Sequence, residues 1–264
     1  MDLGLDRKVA VVAAASRGLG YACAAALAQE GCRLAICSRD GERITAAAER
    51  LRNEHAAEVV ARPVDVTDGA AVTAFVDAVA ETYGRIDVVV TNGGGPKPGT
   101  FDELSADDFS AAADLLVRNP VQLVKAALPH LRANGDGGRI ICITSCSVRE
   151  VIPNLMLSNA LRGAVVGWAK TLARELAADR ITVNCLAPGF VATERIDELV
   201  AANAAKQGRD PDAVRADLLA MQPSGRFGDP AEFGAACAFL ASVNAAYISG
   251  TTLYVDGAMM RTVV

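Results

Sequence analysis

Residues 8–20 read KVAVVAAASRGLG. The apolar run at 8–14 is typical of a short buried strand, and the segment 18–30 that follows has the length and alanine content of a helix. Gly18 and Gly20 lie in the turn between them, where glycine lets the backbone approach a ligand closely. The first turn of a helix also offers unpaired N–H groups at its positive dipole end. We therefore predict a strand, an anion-binding turn and a helix.

The same alternation of short apolar runs with alanine-rich segments continues along the chain. It is the pattern of repeated βα units, whose strands form a parallel sheet covered by helices on both faces. The predicted strands are 8–14, 33–38, 58–64, 86–91, 139–144, 181–186 and 251–255. The predicted helices are 18–30, 41–54, 69–83, 106–133, 155–178 and 230–242. We predict an α/β fold with a Rossmann-type, doubly wound, seven-stranded parallel sheet in a single domain over 1–264.

One connection, 193–226, is unusually long and carries two amphipathic polar segments at 196–207 and 211–221. Ligands of doubly wound sheets bind beyond the carboxyl ends of the strands, and this insertion follows the sixth predicted strand. We interpret it as a substrate lid, because long loops so often carry function. The alternative is a solvated helical hairpin with no role in binding.

The composition favours a cytoplasmic protein without nucleic-acid or membrane partners. The 264 residues are 52% hydrophobic, carry a formal net charge of −5 and include no block of basic residues. The chain lacks an apolar run of membrane-helix length and begins without the apolar segment of a secretory signal. The cysteines form no C-x-x-C pair, so we expect free, reduced thiols. His55 and His130 lie far apart without ligand-spaced partners, so no metal site is predicted.

Three further motifs follow in order: TNGG at 91–94, PG at 188–189 with Thr193 four residues on, and GTTLYVDG at 250–257. Together with the glycine-rich turn they resemble the short-chain dehydrogenase/reductase family, whose pattern is T-G-x-x-x-G-x-G, N-N-A-G, a serine, Y-x-x-x-K and P-G. The resemblance covers residues 7–260 and is closest to 3-oxoacyl-acyl-carrier-protein reductase-like members. It implies a nicotinamide dinucleotide as cofactor and a small-molecule carbonyl or acyl-thioester substrate.

The resemblance also implies which residues hold the dinucleotide. They are Ser16, Arg17, Gly18, Leu19, Gly20, Ser38, Arg39, Asp65, Val66, Asn92, Gly93, Gly94, Arg162, Pro188, Gly189 and Thr193. Ala13 and Ala14 stand in place of the family's opening Thr-Gly. If the turn needs a positive φ at Ala14, alanine costs about 1 kcal/mol relative to glycine, which weakens binding without abolishing it. The alternative is a degenerate site that no longer binds dinucleotide.

The end of the second predicted strand bears on the choice of cofactor. NAD-preferring members place an acid there, whereas this chain has Ser38 followed by Arg39. Arg39 and Arg17 are well placed to flank a 2′-phosphate, with which a guanidinium pairs bidentately. We predict NADP(H), with NAD as the other option and solvated surface arginines as the alternative interpretation. Asp65 and Val66 match the family's adenine-contacting pair, although Asp65 suits an ordinary helix cap equally well.

The usual catalytic residues of the family are an Asn, a Ser, a Tyr and a Lys. Ser145 occupies the serine position, to hold a substrate carbonyl, with a plain strand-end hydroxyl as the alternative. Ser158 stands thirteen residues later, where the Tyr is expected, and Arg162 replaces the Lys. Leu116 occupies the Asn position. Asn119, on the same helix face, either partly replaces the missing amide or is a polar surface residue.

Ser158 and Arg162 cannot reproduce a titrating Tyr–Lys couple. A serine hydroxyl is a far weaker acid than a phenol, and arginine effectively never loses its proton. Four residues apart on a helix, the two side chains face the same side and suit a carboxylate, a phosphate or a ribose. The other tyrosines are all predicted to lie away from the carboxyl end of the fifth strand: Tyr21, Tyr83, Tyr247 and Tyr254.

Two loop residues, Lys97 and Glu150, could donate a proton if burial shifted their pKa towards neutrality, although each also fits a solvated loop position. The leading hypothesis is an atypical NADPH-dependent carbonyl reductase, in which proximity drives hydride transfer and water or a loop residue supplies the proton. One alternative is a redox-silent dinucleotide-binding scaffold acting as a sensor or partner subunit. The other is an enzyme of the same fold with lyase or isomerase chemistry.

The resemblance further implies a homo-oligomer, either a tetramer or a dimer. A small-residue face on the predicted helix 155–178 would let a second copy approach closely, although packing within the chain fits the same residues. The face consists of Ala160, Gly163, Ala164 and Gly167.

Overall fold

The computed structural model describes residues 1–263. Its strands form one parallel sheet in the order β3-β2-β1-β4-β5-β6-β7. The strand order reverses between β1 and β4, which is the switch point where doubly wound sheets bind ligands. The strands are β1 Val9–Val12, β2 Arg33–Ser38, β3 Val59–Pro63, β4 Val88–Thr91, β5 Gly138–Ile143, β6 Ile181–Pro188 and β7 Thr252–Val255. The predicted seven-stranded parallel sheet is confirmed.

The helices lie between and after the strands. They are α1 Gly18–Gln29, α2 Gly41–His55, α3 Gly69–Tyr83, α4 Ala106–Ala113, α5 Asn119–Ala133, α6 Met156–Glu175, α7 Glu194–Gln207, α8 Pro211–Ala220 and α9 Pro230–Ala241. Asp40, Asp68 and Asp229 cap the amino termini of α2, α3 and α9 by accepting hydrogen bonds from backbone amides. Such caps satisfy amides that have no partner inside the helix, which fixes where each helix begins.

Both faces of the sheet are buried. Alternate residues of β1 face opposite sides, because side chains of a strand alternate. Ala10 and Val12 join a core with α1, α2 and α9, whereas Val9 and Val11 join a second core with α3, α5 and α6. The arrangement explains why the strands are continuously apolar, as expected of a parallel sheet with helices on both faces.

The predicted helix over 106–133 is present in the structure, but it is not regular throughout. A wide π turn at Asp114–Arg118 separates α4 from α5, and the Asn119 amide donates to the Asp114 carbonyl oxygen five residues back. Pro120 follows directly and has no N–H, so the ordinary ladder cannot continue through this position. The turn changes which side chains of α5 face the sheet.

The insertion 193–226 contains α7 and α8. Ile196, Val200 and Val214 form a third, smaller core with Phe190 and Met259, so the insertion packs against the end of β6 and the carboxyl-terminal segment. The insertion therefore covers the carboxyl ends of the strands rather than extending into solvent.

The small-residue face of α6 is exposed along Ala160, Gly163, Ala164 and Gly167. A Cβ added at Gly163 or Gly167 would meet no atom within 4 Å. The interpretation that this face packs within the chain is therefore wrong.

All seven cysteines are buried and none forms a disulfide. Within residues 1–263, no helix combines the length and apolar character needed to span a bilayer. No group of three or more His, Cys, Asp or Glu side chains in this part of the chain is arranged to hold a metal ion.

Candidate cofactor and substrate site

A cavity of about 350 Å³ opens beyond the carboxyl ends of the central strands. Most of the predicted site residues line it. Asn119, Gly20 and Asp65 do not. The lining residues among those predicted are Ser16, Arg17, Gly18, Leu19, Ser38, Arg39, Val66, Asn92, Gly93, Gly94, Ser145, Ser158, Arg162, Pro188, Gly189 and Thr193. The glycine-rich turn therefore shares one cavity with Ser145, Ser158 and Arg162 of the predicted catalytic set.

The glycine-rich turn after β1 has the geometry of an anion cradle. Gly18 has a φ of +58°, and Arg17 at the amino terminus of α1 provides no side-chain cap. The first amides of α1 are therefore available to an anion. Gly20 lies outside the lining but is needed for packing, because a Cβ there would come within 2.4 Å of the Ala14 carbonyl oxygen.

Ala14 itself has a φ of +48°, the left-handed region that favours glycine. The strain anticipated for alanine at this position is therefore present. It costs about 1 kcal/mol, because Cβ crowds the backbone in this conformation.

Two asparagines hold the loop after β4 against this turn. The Asn92 side chain donates to the Ala14 carbonyl oxygen at 3.3 Å, and its own oxygen accepts from the Gly94 amide at 3.3 Å. The Asn119 amide group donates to the carbonyl oxygens of Asn92 at 3.1 Å and Leu115 at 3.2 Å.

Asn119 is only 1% exposed, so the interpretation as a surface residue is wrong. Asn119 directly follows the π turn and lies beneath the loop after β4, whose Asn92 carbonyl oxygen it contacts. Its side-chain oxygen has no hydrogen-bond partner. Asn119 therefore supports the wall of the cavity from behind.

The tip of β2 forms the end of the cavity where a ribose phosphate is expected. The Ser38 hydroxyl donates to the Asp40 carbonyl oxygen at 3.1 Å, and Arg39 is exposed at the rim. Asp65 lies just outside and accepts from the Thr67 amide and hydroxyl. These bonds, with help from Arg39, lower its pKa. Asp65 is not a helix cap, because Asp68 caps α3.

Residues that the sequence did not single out also line this cavity. Arg43 lies in the first turn of α2, four residues after Arg39 in the sequence. On α7, Glu198 pairs with Arg17 at 2.9 Å and with Arg195 at 3.5 Å. Arg195 also donates to the Pro96 carbonyl oxygen at 3.0 Å. No sequence spacing links these distant positions, because the contacts depend on how the insertion packs.

The catalytic end of the cavity lies beyond β5. Ser145 accepts from the Ser147 amide at 3.1 Å, and the Ser147 and Ser158 hydroxyls are 3.5 Å apart. Ser158 is only 7% exposed. The Cys146 thiol is also part of the lining, and burial raises its pKa to about 11. It therefore stays neutral at physiological pH.

Arg162 is fixed by two backbone carbonyl groups. One guanidinium nitrogen donates to Ile143 at 3.1 Å and the other to Gly94 at 2.9 Å. Burial, together with the nearby Arg195, lowers its pKa to about 10. The side chain remains a cation at neutral pH, so it cannot act as a general base there.

The proton donors considered from sequence lie outside the cavity lining. Lys97 bonds both carboxylate oxygens of Asp108 at 3.0 Å, and Glu150 accepts from the Arg261 amide at 3.0 Å. Tyr254 lies closer to the loop after β5 than predicted, because the guanidinium of Arg149 stacks on its ring at 5.5 Å. Tyr254 does not line the cavity either.

The remaining wall is apolar. Ile152 and Leu155 contribute from the loop before α6, and Leu199 contributes from α7. The cavity thus combines an anion cradle, a positive rim, a hydroxyl-rich end and an apolar wall, which suits a nucleotide and a small partly apolar molecule side by side.

Comparison with known proteins agrees with this geometry. A family model described as enoyl-(acyl carrier protein) reductase matches residues 13–259. The short-chain reductase protein NovJ of Streptomyces niveus is 35% identical, with 96% of this chain and 94% of that protein covered. The 3-oxoacyl-[acyl-carrier-protein] reductase FabG of Vibrio cholerae is 32% identical, with 97% and 99% covered.

Among solved structures, the L-sorbose reductase of Gluconobacter frateurii complexed with NADPH and L-sorbose superposes with a TM-score of 0.93 at 31% identity. The match covers 99% of this chain and 100% of that one. Because the family model and these relatives span nearly the whole chain, the protein belongs to the short-chain dehydrogenase/reductase family of oxidoreductases.

Proposed function

We propose that the protein is an atypical NADP(H)-dependent oxidoreductase that transfers hydride to or from the carbonyl or alcohol group of a small molecule. The observation that carries this proposal is a single cavity that contains both the anion cradle at Gly18 and the hydroxyl of Ser145. A carbonyl held at Ser145 would lie in the same enclosed space as the nicotinamide end of a cofactor. Holding two reactants this close supplies a large part of the barrier reduction.

The residues present fit NADP(H). The closely packed Gly20 leaves the start of α1 open to a diphosphate, and the amides of this helix have no competing side-chain cap. Arg39 at the exposed rim suits a 2′-phosphate. Ser38 replaces the acid that would repel that phosphate. When bound, the nicotinamide ring supplies or accepts the hydride.

The side chains of this chain then perform binding and orientation. Ser145 donates its hydroxyl hydrogen to a substrate oxygen, and Ser158, whose hydroxyl lies 3.5 Å from that of the buried Ser147, extends the polar end of the cavity. Arg162 provides a fixed positive charge that stabilises negative charge on oxygen. Since no side chain in this group titrates near neutrality, water supplies the proton.

The test is NADPH oxidation by the purified protein against a panel of ketones and 3-oxoacyl thioesters, after binding of NADPH has been verified by calorimetry. Turnover of at least one class is expected. Bound NADPH with no turnover of any compound would contradict the oxidoreductase proposal.

A redox-silent scaffold is the second candidate, and the replacement of Tyr and Lys by Ser158 and Arg162 favours it. The double variant Ser158→Tyr with Arg162→Lys distinguishes the two. A large gain of reductase activity from none supports the silent scaffold, whereas loss of an existing activity supports the atypical enzyme. Product formation without net NADPH consumption would instead identify lyase or isomerase chemistry.

Two further features belong to this proposal. The insertion 193–226 acts as a substrate lid, because α7 carries Arg195 and Glu198 into the cavity wall. The exposed face at Gly163 and Gly167 packs against the same helix of a second copy, which gives a homo-oligomer in the cytoplasm. Gly167→Leu should lower the mass measured by light scattering, whereas Ala46→Leu, on the exposed face of α2, should not.

A further inference from the structure

Arg162 presents a fixed guanidinium to the catalytic end of the cavity. Its bonds to the carbonyl oxygens of Ile143 and Gly94, at 3.1 and 2.9 Å, hold the side chain in one orientation. A guanidinium has five N–H donors, so these two bonds leave other donors for a ligand. Its planar fork matches the two oxygens of a carboxylate.

No carboxylate in the described residues 1–263 lies within 4.0 Å of this cation. Among the acids of the cavity wall, Glu198 pairs with Arg17 and Arg195, Asp40 pairs with Arg43, and Glu194 lies beside Gly18. Arg195 is near enough to Arg162 to disfavour its charge. A half-buried cation beside a second cation, without a paired anion, is electrostatically unfavourable. An anionic ligand removes this cost.

The surroundings of Arg162 define what else the ligand contains. Ser158 lies one helical turn before it, on the same side of α6, and adds a hydroxyl. Ser145 lines the same end and suits a carbonyl oxygen. Ile152 and Leu199 add apolar surface to the same cavity. The three kinds of contact match a carboxylate, a carbonyl group and a short hydrocarbon part.

We infer that the substrate is a small oxo acid or the corresponding hydroxy acid, with its free carboxylate bound by Arg162 and its reacting oxygen by Ser145. This inference rests on the proposed oxidoreductase function and narrows its substrate class. It separates the protein from enzymes that act on thioesters or sugars, whose reacting ends carry no negative charge.

The experiment compares matched substrates that differ in charge and by one methyl group. Acetoacetate with methyl acetoacetate, and pyruvate with methyl pyruvate, are reduced by the wild-type protein with NADPH. The expected kcat/KM for at least one acid exceeds that of its ester by 100-fold or more. Arg162→Gln is expected to reduce this ratio to within a few-fold of one, whereas Arg162→Lys, which keeps the charge, retains most of it.

A binding measurement makes the test independent of turnover. Calorimetry with the NADP⁺-saturated protein compares butyrate with butyramide, which have similar shapes but different charge. Butyrate is expected to bind at least tenfold more tightly, and Arg162→Gln should abolish the difference. Arg174→Gln is the matched control, because Arg174 is exposed on the same helix as Arg162 but lies outside the cavity lining. It should keep the wild-type preference.

The outcomes separate the inference from the proposed function. Equal turnover of acids and esters overturns the oxo-acid inference and leaves the oxidoreductase intact. The oxo-acid inference is also overturned if Arg162→Gln binds NADPH more weakly and loses activity equally on acids and esters. Arg162 would then bind the cofactor ribose. Absence of all turnover, with butyrate still bound through Arg162, contradicts the oxidoreductase and retains the anion site. If Arg162 variants fail to fold, the wild-type acid-to-ester and butyrate-to-butyramide comparisons decide alone.

Discussion

Arg17, in the glycine-rich turn, and Glu198, on α7, form an ion pair of 2.9 Å across the mouth of the cavity. Both side chains are 46% exposed. Removing the carboxylate frees the guanidinium for a cofactor phosphate, and an exposed pair of this kind contributes at most about 1 kcal/mol. Glu198→Gln should therefore bind NADPH roughly two- to fivefold more tightly in a fluorescence titration.

Asp197→Asn is the control for this experiment. Asp197 lies on the same helix but pairs with Arg215, away from the cavity. Its NADPH affinity should match that of the wild type. Weaker binding by Glu198→Gln would mean that the ion pair helps to form the site rather than competing with the cofactor.

Arg39→Leu tests the choice of cofactor. The exposed guanidinium of Arg39 lies at the rim of the cavity, next to the buried Ser38. Losing a charge-assisted contact to the 2′-phosphate should weaken NADPH binding by about tenfold, roughly 1.4 kcal/mol. NADH binding should not change, and Arg174→Leu, on the exposed face of α6, should affect neither. An equal loss for both cofactors would show that Arg39 does not recognise the 2′-phosphate.

Ala14→Gly should stabilise the protein, although most substitutions by glycine destabilise. The φ of +48° at Ala14 is strained for alanine and ordinary for glycine. We expect a gain of about 1 kcal/mol, which is a rise of roughly 2–4 °C in Tm for a chain of this size. Ala46→Gly, on the exposed face of α2, should lower the Tm instead. A lower Tm for Ala14→Gly would indicate that the turn relaxes in solution.

The sheet could be predicted from the sequence because each βα unit has a local pattern of its own, an apolar strand followed by an alanine-rich helix. Val9–Val12 and Gly18–Gln29 are recognisable from composition and glycine spacing alone. The π turn at Asp114–Arg118 was not predictable in this way. Nor does the sequence show that Asn119 is buried beneath the loop after β4, because that position depends on the contacts of its amide group with Asn92 and Leu115. Contacts such as Arg17 with Glu198, 181 residues apart, require the packed insertion.

Asn119→Ala should cost about 2–3 kcal/mol of unfolding free energy in urea titration. The side chain donates to the carbonyl oxygens of Asn92 and Leu115, and its removal leaves buried acceptors without partners. NADPH binding should weaken as well, because Asn92 shapes the cavity wall. Asn53→Ala, an exposed change on α2, should cost under about 0.5 kcal/mol. Unchanged stability would mean that water replaces the missing amide.

The pH dependence of carboxylate binding follows from Arg162. Its pKa of about 10 means that the cation persists through neutral and mildly alkaline pH. Because binding needs the protonated form, affinity for butyrate should be constant between about pH 7 and 9. A transition between pH 6 and 8 in calorimetry would point to a different anion-binding group.

Because all seven thiols are buried, the rate at which each is alkylated reports which part of the molecule opens. Cys146 borders the cavity, whereas the other six lie within the cores against the two faces of the sheet. Movement of α7 and α8 away from the strands would expose Cys146 while the sheet stays intact. The other six thiols would react only when the cores themselves open. The order in which the thiols are labelled therefore distinguishes local opening of the insertion from global unfolding.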